Sequence, residues 1–268
     1  METAILHELI ALNNRFYAEH AASFSATRNA PWAGWTRLVE ELRAQDWDRK
    51  LADGGNTAAV LDLACGNLRF EHFLADAFPS LSIRFDAIDN CADLAGATDE
   101  DAPGASIAFR RLDILQTLLD TPEASDLGCN PTPDLAVCFG FMHHVPSGQL
   151  RRRVLGALMG TLAPGGMLAV SFWQFMDDPR LAAKALRADA LARELPPFSG
   201  FSPRGLDEGD HFLGWQEHPG PSRYCHHFSE QEIDALSAWA SSGARELARW
   251  SADGSSGALN RYLLLQRS

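Results

Sequence analysis

The sequence predicts an α/β protein built on a doubly wound, mostly parallel sheet of seven strands. Three observations carry that reading. Up to residue 173, short apolar runs alternate with stretches of helical spacing, the pattern of parallel strands joined by crossover helices. Acids stand at the ends of the first three runs (Asp62, Asp89 and Asp113), where open α/β sheets bind their ligands. Two strand-like runs near the C-terminus, Ala244–Trp250 and Asn260–Arg267, are joined by SADGSSGA and fit an antiparallel hairpin closing one sheet edge.

Residues 1–50 read as helical, with Phe16, Tyr17, Phe24, Trp32 and Trp35 making them aromatic-rich and Pro31-Trp32 breaking the helix geometry. A turn, DGGNT, precedes the first strand, Ala59–Leu63. The next strands are expected at Ile83–Asp89, Ser106–Leu112, Pro133–Met142 and Met167–Trp173. A helix over Leu150–Leu162 is stopped by Ala163-Pro164-Gly165-Gly166. Beyond residue 174 the alternation breaks. A helix over Asp178–Glu194 is followed by a Pro/Gly/aromatic-rich loop, and Ser229 then opens a last helix in a capping box with Glu232. The chain is therefore expected to be one domain: an N-terminal helical cap (1–55), a ligand-binding core (56–174), an insert after strand five acting as a substrate lid (175–228), and a final helix and edge hairpin (229–268).

With 268 residues, 46% of them hydrophobic, the chain can bury a substantial core. A net charge of −12 argues against broad, non-specific nucleic-acid binding, which depends on Lys and Arg. The N-terminus lacks the form of a signal peptide, and no apolar run approaches the roughly 18 residues of a membrane span. Five scattered cysteines without a C-x-x-C pair argue against a disulfide framework or zinc site, and fit a reducing cytoplasm.

The stretch AVLDLACGNLRF (59–70) combines strand, small-residue turn and helix start, presenting backbone N–H groups to a ligand. It is not a dinucleotide turn: the G-x-G-x-x-G glycines are missing, and Asp62 would repel a pyrophosphate. It resembles the first motif of class I S-adenosylmethionine-dependent methyltransferases, (D/E)-x-G-x-G-x-G, with Asp62, Ala64, Gly66 and Leu68 at the diagnostic positions. APGG (163–166) resembles the loop before strand five in the same enzymes. The resemblance implies a Rossmann-like fold and S-adenosylmethionine as cofactor. Asp62 with Ala64, Cys65, Gly66 and Asn67 would face the methionine part, and Asp89 with Asn90 the ribose. Asp113 and Ile114 would flank the adenine, with Phe139 and Gly140 on the far side of the cleft.

Further segments narrow the family. FSATRNAPW (24–32), GDHFLGW (209–215) and RYCHHF (223–228) resemble segments of a subfamily of tRNA wobble-uridine methyltransferases, which convert a carboxymethyl-uridine to its methyl ester. Cys225 stands where that subfamily has a second Tyr. Arg28 and Arg223 could each clamp a carboxylate or phosphate, and Trp32, Trp215 and Tyr224 could stack a base. His143 or His144 is a candidate base or acceptor-orienting group, and no metal is expected on the pair. Arg151-Arg152-Arg153 reads as a solvated helix face. The best reading is O-methylation of a carboxylate, on tRNA. The alternatives are a methyltransferase for a small metabolite, and a non-catalytic cofactor-binding protein that no longer methylates anything, a reading motivated by Leu68, whose side chain could block the cofactor. The sequence names no partner subunit.

Overall fold

The computed structural model describes all residues except 28, 29, 54, 56, 96–103, 122–126 and 217. Three helices precede the sheet: α1 (Thr3–Ala26), α2 (Ala33–Ala44) and α3 (Trp47–Asp53). The break between α1 and α2 falls at Pro31-Trp32, as expected. The sheet then builds through β1 (Thr57–Leu63), α4 (Arg69–Ala77), β2 (Ser82–Asp89), α5 (Ala92–Ala95), β3 (Ala105–Arg111), α6 (Ile114–Asp120), β4 (Leu135–Cys138), α7 (Gly148–Thr161) and β5 (Met167–Trp173). After α8 (Pro179–Glu194), β6 (Asp210–Trp215) and β7 (His218–His226), the chain closes with α9 (Glu230–Ala240), β8 (Ala244–Ala252) and β9 (Asn260–Arg267).

The main sheet has seven strands in the order β3-β2-β1-β4-β5-β9-β8. β1 to β5 are parallel, and β9 pairs antiparallel with both β5 and β8. This is the predicted doubly wound, Rossmann-like sheet with an antiparallel edge pair. The strand order reverses between β1 and β4, which opens a crevice at their C-terminal ends.

Strand alternation divides the core. Leu61 and Leu63 pack with Ile88, Cys138, Val170 and residues of α7 and α9 on one face. Val60, Phe85, Val137 and Ala169 meet Trp35, Leu38, Phe70 and Leu74 of α2 and α4 on the other. Caps set the helix starts: Asp113 accepts from the Gln116 N–H, Asp178 from those of Arg180 and Leu181, and Ser229 from that of Glu232.

Two expectations change. Strand four is shorter than predicted, because Gly140 takes φ 67° and Met142–His144 form a 3₁₀ turn. The stretch read as an irregular loop contains the β6–β7 hairpin, a separate two-stranded sheet packed against α8 and α1. Among the described residues no helix is long and apolar enough to cross a membrane.

Candidate active site

The turn after β1 is pinned from below. The N–H groups of Ala64 and Cys65 both donate to the Ile88 carbonyl, at 2.7 and 3.2 Å, and the Gly66 N–H donates to Asp89 Oδ2 at 3.0 Å. Ala64, Gly66 and Leu68 all take positive φ (65°, 58° and 58°), so the three positions of the glycine motif keep its conformation without two of its glycines. A Cβ at Gly66 would meet nothing within 4 Å, because that direction opens into the cavity. Leu68, by contrast, is 2% exposed and packs among Cys65, Ala87 and Ala95, away from the cavity. The alternative in which Leu68 blocks the ligand loses its basis, since the side chain packs into the core and does not line the cavity.

The strain at Ala64 is testable. A left-handed non-glycine residue costs about 1–2 kcal/mol, and glycine returns part of that as unfolded-state entropy. Ala64→Gly is expected to be neutral or to stabilise by up to about 1 kcal/mol, whereas Leu68→Gly loses buried contacts and destabilises by about 1–3 kcal/mol. Urea denaturation of both variants checks this; equal destabilisation would remove the strain argument.

One cavity of about 910 Å³ runs over the C-terminal strand ends. Asp62, Ala64, Cys65, Gly66, Asn67, Asp89, Asn90, Asp113, Ile114, Phe139 and Gly140 all line it, as do His143, His144 and Arg223. So do Trp32 and Trp215. Arg28 lies outside the described residues. Tyr224 does not line the cavity: it is fully buried, and its hydroxyl donates to Asp210 Oδ1 at 2.6 Å. Its expected stacking on an acceptor is therefore replaced by a structural position.

The cavity is electrically divided. Asp62, Asp89 and Asp113 stand on the β1–β3 side. Asp113 is committed to the α6 cap and to Asn14 Nδ2 at 2.6 Å, and Asn90 Nδ2 donates to Asn14 Oδ1. Behind Asp62, on the first turn of α4, is Glu71, which is 0% exposed. Both of its carboxyl oxygens are buried without a hydrogen-bond partner of good geometry. Burial pushes Glu71 up to about 8 and Asp62 well above the usual carboxylate range, with their mutual repulsion adding to Asp62's rise. Burial also raises Asp89, although it accepts from the Gly66 and Cys91 N–H groups.

This pair makes folding stability fall with pH. The folded state holds protons that the unfolded chain releases above about pH 4.5, so stabilisation present in acid is lost as pH rises toward about 8. Each tenfold change in proton affinity is worth about 1.4 kcal/mol. The melting temperature of the ligand-free protein is expected to fall between about pH 5 and about pH 9, and Glu71→Gln to flatten that slope. A Glu71→Gln profile parallel to that of the parent protein would refute the raised Glu71 carboxyl.

On the β5 side the cavity is cationic and aromatic. Arg223 of β7, 8% exposed, lies 5.0 Å from the Phe16 ring, 5.6 Å from Trp215 and 6.0 Å from Trp173. Its buried Nε has no partner, and among the described residues no carboxylate pairs with it. Arg180, exposed at the start of α8, also lines the cavity.

His144 is spoken for on both ring nitrogens: Nε2 meets Tyr17 Oη at 2.7 Å, and Nδ1 meets Asn13 Nδ2 at 3.1 Å and the Tyr224 carbonyl at 3.2 Å. His143, His144 and Cys225 bring one ligand atom each to within 4.8 Å of one another. A metal there would have to displace the contacts of His144 and deprotonate Cys225, whose thiol burial pushes up to about 12.

Sequence reasoning missed several lining residues. Ile10, Asn13, Asn14 and Tyr17 form a partly polar stripe on α1 at i, i+3, i+4, i+7 that faces the cavity. Asp253 and Asn260, from the β8–β9 turn, also line it; Asp253 accepts from the Gly34 N–H, Asn260 Nδ2 and the Tyr262 hydroxyl. Arg151 is corrected from a solvated residue to one 2% exposed, ion-paired with Asp210 and Glu232.

No protein-family model matches the sequence, and no curated protein matches it either. Solved structures do. A SAM-dependent methyltransferase of Methanosarcina mazei is 18% identical, with a TM-score of 0.53 over 79% of this chain and 93% of its own. The 1,6-didemethyltoxoflavin-N1-methyltransferase of Burkholderia thailandensis, solved with its acceptor and S-adenosylhomocysteine, is 13% identical, with a TM-score of 0.54 over 98% and 90%. The magnesium protoporphyrin IX methyltransferase of Synechocystis PCC 6803, solved with bound SAM, is 12% identical, with a TM-score of 0.50 over 97% of each chain. At these identities the likeness is one of fold, and it agrees with the strand order: the chain has the Rossmann-like fold of the SAM-dependent methyltransferases.

Proposed function

We propose that this protein is an S-adenosylmethionine-dependent methyltransferase that esterifies a carboxylate, with the carboxymethyl group of a tRNA wobble uridine as the acceptor. The observation that carries the acceptor class is Arg223: a guanidinium held among three aromatic rings, opening on the cavity, with no acidic partner among the described residues. Such a group recognises a planar anion in two-pronged fashion.

The cofactor assignment is supported by the acidic half of the cavity. Asp62 and the Ala64–Asn67 turn suit a cationic amino-acid moiety, Asp89 a hydroxyl-bearing ring, and Asp113 with Ile114 a flat base. The open space at Gly66 is where a ligand would lie, and the row of acids disfavours phosphate-bearing cofactors. When bound, S-adenosylmethionine supplies an electrophilic methyl group. The chain's task is to align the acceptor and keep water out, which the aromatic walls from Trp32, Trp173 and Trp215 serve. A carboxylate acceptor is already ionised near pH 7 and needs no base. That suits a site whose His144 has both ring nitrogens engaged.

The second reading, a small carboxylate metabolite, is favoured by the net charge of −12. Mass spectrometry of tRNA nucleosides from cells with and without the gene separates the two. Accumulation of carboxymethyl-uridine in the deletion strain is expected; an unchanged wobble-uridine profile moves the acceptor to a small molecule.

A further inference from the structure

We infer that Asn14 of α1 is a positioning residue for the cofactor's base: it fixes the Asp113 carboxylate and the Asn90 amide in one orientation, and so makes the cavity select adenosine over its deaminated counterpart. The inference rests on the cofactor assignment above and is independent of the acceptor.

The contacts are short and mutually consistent. Asn14 Nδ2 donates to Asp113 Oδ2 at 2.6 Å, and Asn14 Oδ1 accepts from Asn90 Nδ2 at 2.6 Å. All three residues line the cavity, Asn14 from α1, Asn90 just beyond β2 and Asp113 just beyond β3. A carboxylate only accepts, so it fixes which end of the Asn14 amide faces it; the other end of that amide then fixes the amide of Asn90. The Gln116 N–H donates to Asp113 Oδ1 at 3.0 Å, so the carboxylate is held on both oxygens and its otherwise broad rotation is stopped. Asn14 is itself held in place. Its neighbour Asn13, 5% exposed, is locked to the Tyr224 backbone on β7, accepting from the N–H at 2.8 Å and donating to the carbonyl at 3.1 Å. Two turns before Asn14, His7 Nδ1 meets Gln116 Oε1 on α6 at 3.2 Å. α1 is therefore pinned to both halves of the cavity. Asparagine is a poor residue for a helix interior, and these contacts supply the reason for one there.

Each Asp113 oxygen keeps a second lone pair for a ligand. Adenine presents an exocyclic amine, a donor, where hypoxanthine presents a carbonyl oxygen, an acceptor. A carboxylate held at a fixed angle accepts from the first and repels the second. Asn90, with its amide nitrogen turned to Asn14, offers Oδ1 to a ribose hydroxyl. Without Asn14 the Asp113 carboxylate is held on one oxygen only and swings more freely against the base. Discrimination then weakens, while the methionine end, served by Asp62 and the Ala64–Asn67 turn, is untouched.

The test is isothermal titration calorimetry of S-adenosylhomocysteine and S-inosylhomocysteine, which differ in the exocyclic group of the purine, into the purified 268-residue chain and its variants. The parent protein is expected to favour the adenosyl ligand. Asn14→Ala should lower that preference by about tenfold, the scale of one lost hydrogen bond to a charged group. Asn14→Asp should lower it at least as far, because it sets a like charge against Asp113. Asp113→Asn keeps the helix cap without the charge, and adding Asn14→Ala to it should leave the preference unchanged, since the two residues act through one contact. A preference that survives in Asn14→Ala and Asn14→Asp, even with both ligands bound more weakly, would reduce Asn14 to packing α1 and overturn the inference. So would a parent protein that binds the two ligands alike. Either result leaves the cofactor assignment standing. No heat from either ligand at millimolar concentration would overturn the assignment and the inference together. Should Asn14→Ala fold poorly, the isosteric Asn14→Asp decides by the same ratio.

Discussion

Asp210→Ala is expected to destabilise the protein by about 3–5 kcal/mol, the cost of breaking a buried charge cluster and leaving its hydrogen-bond donors unpaired. Asp210 is 8% exposed, and its Oδ1 gathers three groups: Arg151 Nη2 at 3.4 Å, the Tyr224 hydroxyl at 2.6 Å and His226 Nδ1 at 2.7 Å. Its Oδ2 accepts from the Asp207 N–H at 2.9 Å. Arg151 also donates to Glu232 at 2.8 Å and to the Val145 carbonyl at 3.1 Å, and Glu232 meets His226 Nε2 at 2.7 Å. One cluster thus ties α7, both strands of the β6–β7 hairpin and α9 together. Removing Asp210 leaves Arg151 with only the partly solvated Glu232 as an ionic partner and leaves the buried Tyr224 hydroxyl and His226 Nδ1 without their acceptor, and because the hairpin carries Arg223, it also loosens the acceptor side of the cavity. Glu232→Gln should cost less, because Glu232 is partly solvated, with 26% of its side chain exposed. Thermal melts would read the larger variant as a loss of about 2–4 °C per kcal/mol. A loss under about 1 kcal/mol for Asp210→Ala would mean that the cluster is incidental to stability.

The acids at the strand ends were legible because parallel strands buried on both faces leave few places for an acid except their C-terminal ends, where the crevice must lie. The same logic failed where side-chain direction depended on backbone detail. Leu68 occupies a glycine position, yet its positive φ sends the side chain into the core. Arg223 and Tyr224 are sequence neighbours in one motif. They part company because the segment is a strand: alternation aims Arg223 at the cavity and Tyr224 at Asp210, and a stretch read as loop offers no alternation to apply. Arg151 had the look of a surface charge run, and only the distant Asp210 and Glu232 bury it. Nothing in the sequence marks Glu71, since an acid in a helix's first turn is ordinary where the dipole favours negative charge.

Arg223→Ala is expected to lower kcat/KM for a carboxylate acceptor by about 10²–10³-fold, the equivalent of about 3–4 kcal/mol for a lost charge-assisted, two-pronged contact in a desolvated site. The aromatic rings at 5.0–6.0 Å hold the guanidinium in place without neutralising it, so an incoming carboxylate meets a cation whose orientation is already set. Arg223→Lys should recover little, since an ammonium cannot reproduce the fork or stack flat on the Trp215 and Phe16 rings. S-adenosylmethionine affinity should stay within about twofold in both variants, because the acids and the turn that suit the cofactor lie across the cavity on β1 to β3. That split distinguishes an acceptor contact from general damage. Arg152, exposed on α7 and outside the cavity lining, is the control, and Arg152→Ala should leave turnover unchanged. The measurement is transfer of labelled methyl to tRNA carrying the carboxymethyl-uridine, alongside calorimetry of the cofactor. Intact turnover in Arg223→Ala with cofactor bound would remove the carboxylate clamp and reassign the arginine to packing the hairpin onto α1.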